Sequence, residues 1–303
     1  MHFVFEPGFF SSEPVHIAFV IGGVTAIVSA IVGVFTVVRG QSFAGHALTD
    51  VATTGGSGAF YLNISPLVGF LGAGVIGAGA MDLAGVERVR GRDLATGIVL
   101  GFATGLSALF LYLDTTKSAT TGVSQQILFG SIFTLDPSTI PLVVVMSVLT
   151  LAVVFVIYRP LLLSSISPDL AAARGIRTRL VGILFMLAMA IAVGLSSIAI
   201  GSILSTALLI GPAATSLRLT KNLGAALVWS GVMGVVATWL GVLLAYDSFY
   251  WFPSSQGLPV SFFIVALIFL AYLFSGLPVL RRRADRRPEL AAIPQPVARV
   301  EVV

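Results

Sequence analysis

The 303-residue chain contains no cysteine. That excludes disulfides, thiolate metal sites and iron-sulfur clusters, and leaves the compartment open. Charge is nearly as scarce: 10% of residues are charged and 57% are hydrophobic, whereas a soluble domain carries about a quarter charged residues. Such a chain has too little polar surface to cover itself in water, so it is a membrane protein. A phosphate-cradling G-x-x-x-x-G-K-[ST] loop is missing as well, since the two lysines stand in DTTKS and LTKNL. Any ATP that drives the protein is therefore hydrolysed by a partner. Only three histidines occur, and no cluster of nucleophile, base or metal ligands marks an enzyme. The first apolar run, Ile17 to Val38, exceeds the roughly 7–15 residues of a signal's apolar region and follows no basic segment, so no cleavable signal peptide is expected.

What the chain has in abundance is long apolar runs. A crossing helix needs about 20 apolar residues, and nine segments qualify: His16–Val38, Phe43–Leu62, Ile64–Gly85, Leu94–Leu113, Thr139–Tyr158, Leu180–Ile200, Ser202–Leu217, Gly224–Tyr246 and Pro259–Leu280. The second is diluted by glycine and threonine, and the seventh is short and interrupted by Gly211-Pro212. If all nine cross, 16 of the 17 basic residues fall on one side and only Lys117 on the other. Basic residues in short loops stay cytoplasmic, so this partition predicts an outside N-terminus and a cytoplasmic C-terminus. The fold expected is an all-α polytopic bundle over residues 1–287, with 288–303 as a short disordered cytoplasmic tail. The net charge of +4 reflects orientation and gives no reason to expect nucleic acid.

Two segments carry local signals. Arg159 to Arg179 reads RPLLLSSISPDLAAARGIRTR. Ser167-Pro168 can open a short helix there and Gly175 can close it, giving either a plain connector or a surface helix that couples to a partner. In TALLIGPAATSLRLT, Pro212 lacks a backbone donor and crowds the preceding turn. The seventh span is expected to kink or break at Gly211-Pro212, inside the bundle where freed carbonyls are covered. Ser202, Ser205, Thr206 and Thr215 beside it suit helix–helix hydrogen bonds better than metal ligation.

Taken in order, VRGQSFAGHAL, LATGIVLGFATGLSALFLYL, QQILFGSIFTLDPS, YRPLLLSSISPDLAAARGI and TALLIGPAATSLRLT, followed by the last two spans before RRR, resemble the permease subunits of the ABC-3 family. The resemblance implies an importer of zinc, manganese or iron with no permanently bound cofactor. It also implies three partners: a cytoplasmic ABC ATPase, an extracytoplasmic metal-binding protein and a second permease subunit. Asp169, Ala171 and Gly175 are then similar to a degenerate E-A-A-x-x-x-G coupling element. The rival readings are a permease for a metal chelate or vitamin and a self-contained secondary transporter or channel.

His46 and Asp50 stand out in FAGHALTDVATTGG. Residues four apart share a helix face, ionisable groups inside a membrane usually have a function, and imidazole with carboxylate suits zinc, manganese or ferrous iron. The family pattern places an aspartate four residues before this histidine, where the present chain has Ser42. Asp50 is placed to supply the carboxylate one turn later. The pair is expected either to contact the passing ion or simply to neutralise itself. Gly97, Gly101 and Gly105 form a smooth stripe, read first as packing within the chain and otherwise as a dimer contact. Asp82 lies near water, His2 and His16 carry no expected role, and Glu6, Glu13, Asp114, Asp136 and Asp247 are read as solvated outer acids.

Overall fold

The structure is a computed structural model that describes residues 8–83, 92–118, 122–130, 132–251 and 257–291. His2, Glu6, Arg88, Arg90 and residues 292–303 lie outside that set. Each of the nine apolar segments forms a helix: α1 (Glu13–Val38), α2 (Ser42–Tyr61), α3 (Pro66–Leu83), α4 (Arg92–Ser118), α6 (Thr139–Val156), α9 (Thr178–Ile200), α10 (Ser202–Leu219), α11 (Leu223–Trp251) and α12 (Val260–Ala291). Shorter helices α5 (Gly122–Phe129), α7 (Tyr158–Ile166) and α8 (Pro168–Ala173) complete the set. No strand occurs among the described residues. Seven of the helices are long and apolar enough to cross a membrane. Glycine and threonine keep α2 below that mark, and the described apolar part of α12, Val260–Gly276, is shorter.

The most buried helices are α1 and α9, which pack together at the centre with α2, α3, α6, α10 and α11 around them. Small residues let them approach. Ser29 and Ser196 hydroxyls meet at 2.5 Å, and Thr36 donates to the Met189 sulfur at 3.4 Å. Hydrogen bonds of this kind between membrane helices are worth about 0.6–2 kcal/mol each. Elsewhere backbones touch outright: a Cβ on Gly33 of α1 would stand 1.7 Å from the Leu209 carbonyl oxygen of α10. Aromatic and aliphatic side chains such as Ile98, Phe102, Trp229, Phe269 and Phe274 project outward from α4, α11 and α12, as a lipid-facing perimeter requires.

The expected break at Gly211-Pro212 and the expected packing of the α4 glycines are corrected. Helix α10 is continuous through Gly211-Pro212, with Pro212 in its interior. The proline removes one ladder hydrogen bond rather than the helix, and Thr215 donates to the Gly211 carbonyl at 2.7 Å in the turn that follows. The sharp interruption comes ten residues earlier, at Gly201, the single residue between α9 and α10. Its φ of +85° is one that only glycine adopts without cost. A Cβ there would also lie 2.3 Å from the Leu128 carbonyl, because Gly130 at the end of α5 packs against this turn. A Cβ added at Gly97, Gly101 or Gly105 would meet nothing within 4 Å, so the outward side of this stripe is not packed against any described helix of this chain. Within the chain, close packing uses Gly55 on Gly69 and Gly77 on Val51 instead.

The acidic residues also divide differently from the expectation of a solvated set. Asp114 and Asp247 are buried. Asp136 is solvated, and its Oδ1 accepts the Ser138 amide at 2.8 Å just before α6. That backbone hydrogen bond holds its carboxyl below the usual carboxylate range. Asp82 forms an ion pair with Arg179 at 3.1 Å, joining the ends of α3 and α9.

Candidate permeation site and coupling segment

Ser42, His46 and Asp50 recur every four residues along α2, so one helix face presents all three. Ser42 is the first residue of the helix, and Asp50 is about halfway along it. Both His46 and Asp50 are half-buried on the side of α2 that lies between α10 and α4. They do not bond to each other. His46 Nδ1 lies 3.2 Å from the Thr206 hydroxyl of α10, and Asp50 Oδ2 accepts a hydrogen bond from the Thr104 hydroxyl of α4 at 2.5 Å. Thr54 extends the α2–α4 seam by donating to the Ala103 carbonyl at 2.8 Å and meeting the Ser107 hydroxyl at 2.8 Å.

The two ionisable side chains therefore have hydroxyl partners and, among the described residues, no opposing cation. Thr104, Gly101 and Gly105 beside them are exposed on the protomer, so this face is open at the depth of a membrane helix. A charged group there costs about 2.5–3.5 kcal/mol or more if lipid covers it. The arrangement is inexpensive only if water or another protein subunit covers it. Among the described residues no group of three or more His, Asp or Glu side chains converges as a closed metal site would. Thr104 carried no signal in the sequence that set it apart. Thr206 was one of several hydroxyls expected to hold helices together, and it does so on the histidine itself. Of the others, Thr215 bonds within its own helix and Ser205 reaches the Ser197 hydroxyl at 3.4 Å.

The segment expected to couple forms as its punctuation predicts. Pro168 is the first residue of α8, and the Ser167 hydroxyl accepts the Leu170 amide at 3.3 Å as its cap. Gly175, at φ +77°, turns the chain out of it. Ala171 is fully buried, whereas Asp169, Leu170 and Ala172 through Gly175 are exposed. The preceding residues are helical too, as α7, which the sequence did not announce. Arg39 at the end of α1 holds α7 in place: its guanidinium donates to Ser164 at 3.1 Å and to Gln41 at 3.3 Å, and it lies 5.6 Å over the Phe185 ring of α9. Gln41 immediately precedes α2, so the candidate coupling segment and the base of the candidate site helix share one arginine.

Comparison with known proteins bears on the family and the fold. The chain is 26% identical over 251 residues to the manganese transport system membrane protein MntC of Listeria innocua, covering 82% of this chain and 86% of that protein. It is 30% identical over 256 residues to the chelated iron transport system membrane protein YfeD of Yersinia pestis, covering 81% and 82%. In fold it is similar to PsaBC from Streptococcus pneumoniae solved in complex with Fab, with a TM-score of 0.75 at 23% identity over 89% of this chain and 93% of that one. The model of the ABC 3 transport family matches residues 11–276, which span α1 through the described apolar part of α12, and the chain belongs to that family.

Proposed function

We propose that this chain is the membrane-spanning permease subunit of an ATP-driven importer of divalent metal ions in a bacterial cell membrane. It pairs with a second permease subunit, docks a separate ABC ATPase on its cytoplasmic side and receives the ion from an extracytoplasmic binding protein. It moves the ion by alternating access and has no catalytic residues of its own. The observation that carries the reading is the open α2 face, where an imidazole and a carboxylate sit among hydroxyls with no counter-charge among the described residues. A second subunit laid against α4 and its exposed glycines would enclose that face and turn it into a pathway. Ser42, His46 and Asp50 line it; the two ionisable side chains bind the ion weakly enough to release it.

All nine long helices cross the membrane in this reading, with the N-terminus outside. Support comes from the basic residues: 16 of 17 fall on one side if every helix crosses. A reporter fused after Arg287 is expected in the cytoplasm and one inserted beside Lys117 outside. Both reporters on the same face would overturn the nine-span topology.

Asp169, Ala171 and Gly175 make the ATPase contact, supported by a small capped helix whose residues are exposed except for one anchoring alanine. The experiment is manganese uptake by the transporter reconstituted with its ATPase and binding protein. Uptake is expected to require ATP. Gly175→Val should abolish it and weaken ATPase co-purification, because a β-branched residue strains at this φ by roughly 1–2 kcal/mol or more and projects into the exposed docking surface. Gly175→Asn should retain much of the activity, since asparagine tolerates the left-handed region. Uptake independent of ATP would instead favour a self-contained transporter.

The similarity to YfeD, whose name carries chelated iron, favours one second reading: a permease for a metal chelate. Uptake of the chelate in preference to free manganese would select it.

A further inference from the structure

The hydrogen bonds around His46 form a chain with one direction. The Thr49 hydroxyl donates its only hydrogen to the Gly45 carbonyl of its own helix at 3.1 Å. Thr206 Oγ1 lies 3.2 Å from Thr49 Oγ1, and while Thr49 gives its hydrogen to Gly45, Thr206 is the donor in that contact. Its hydrogen is then used. At its other contact, 3.2 Å from His46 Nδ1, Thr206 can only accept. A hydroxyl carries one hydrogen and two lone pairs, and a neutral imidazole carries one N–H and one acceptor nitrogen. Only with the hydrogen on Nδ1 do all three contacts become hydrogen bonds at once. The lone pair is thereby assigned to Nε2.

We propose that Thr206 is a positioning residue of the permeation site: through the relay Gly45–Thr49–Thr206–His46, α10 locks the Nδ1–H tautomer of His46 and presents Nε2 to the divalent cation. The proposal rests on reading His46 as a pathway ligand and deepens it. A metal-binding histidine is ordinarily oriented by what its other nitrogen donates to, and loss of such a partner typically costs 10–100-fold in affinity. Here the partner belongs to a different helix. Three members of the relay, Gly45, His46 and Thr49, lie on α2 and the fourth on α10. A movement that parts α10 from α2 therefore frees the ring and weakens the site, so ion affinity depends on the relative position of two helices.

The test uses the transporter assembled with its ATPase and binding protein, with manganese as the probe. Thr206→Val keeps the shape and removes the hydroxyl; Thr206→Ser keeps the hydroxyl. Thr206→Val is expected to raise the manganese concentration for half-maximal uptake about 10–100-fold, with a much smaller change in maximal rate. Thr206→Ser should restore it. A second readout needs no metal: with only three histidines in the chain, the His46 ring signals in a ¹⁵N-histidine spectrum can be assigned by difference from His46→Ala. They should report the Nδ1–H form in the native protein and in Thr206→Ser, and a tautomer mixture in Thr206→Val. Unchanged half-saturation and unchanged ring signals in Thr206→Val would overturn the relay while His46→Ala remains inactive. Full uptake by His46→Ala would overturn the pathway reading beneath it, and the relay's role with it.

Discussion

Manganese uptake should fall to background in His46→Ala, a loss larger than the roughly tenfold to hundredfold expected from removing an outer partner, while the permease still assembles and docks its ATPase. Asp50→Asn should behave alike, because it keeps the volume and a hydrogen-bond acceptor but removes the charge that attracts a divalent cation. The two side chains bond to Thr206 and Thr104 and not to each other, so mutual neutralisation has no direct hydrogen bond behind it. The double variant His46→Leu with Asp50→Leu separates the readings. Its hydroxyl neighbours keep other partners: Thr104 can turn its hydrogen to the Leu100 carbonyl at 2.8 Å, and Thr206 lies 3.2 Å from the Thr49 hydroxyl. The variant is expected to fold and to fail in transport. Wild-type uptake by it would remove both residues from the pathway.

The largest expected effect on assembly is at Gly33. A single added methyl there would meet the Leu209 carbonyl oxygen at 1.7 Å and its carbon at 2.8 Å. A flexible side chain could swing aside, but this obstacle is backbone in the middle of α10. Gly33→Ala should therefore exceed the ~1–3 kcal/mol typical of overpacking and deplete folded permease from the membrane. Gly79 on α3 is the matched control. A methyl group added there would meet nothing within 4 Å, and Gly79→Ala should be neutral or stabilising by up to about 1 kcal/mol, since alanine favours a helix. Detergent-extracted monodisperse yield measures both; equal yields would contradict the close α1–α10 crossing.

Features encoded by local pattern were legible in the sequence. Apolar length gave the nine long helices to within a few residues at most ends, and the basic residues kept α2 in the set although glycine and threonine dilute it. Ser167-Pro168 and Gly175 marked α8, because caps and left-handed turns act within one helical turn. Pro212 does not break α10 because a proline inside a packed helix costs one hydrogen bond, whereas Gly201 carries no local signal because its meaning depends on Gly130, 71 positions away. The glycines of α4 show the same limit, since a smooth stripe does not say whether its partner is in the chain. In the candidate site, His46 and Asp50 were visible as rare residue types at helical spacing. Their partners were not. Thr206 is separated from His46 by 160 positions, and nothing in its own neighbourhood distinguishes it from the adjacent hydroxyls.

The shared arginine has a thermodynamic consequence. Arg39 ties α7, beside the coupling helix, to the residue from which α2 starts toward His46. In the proposed transporter, an ATPase docked on α8 has in Arg39 one reversible connection through which to act on the base of α2. Linkage then requires reciprocity: the factor by which bound nucleotide changes cation affinity at His46 equals the factor by which bound cation changes nucleotide affinity in the ATPase. The permease is in that sense an effector of its motor as much as a load upon it.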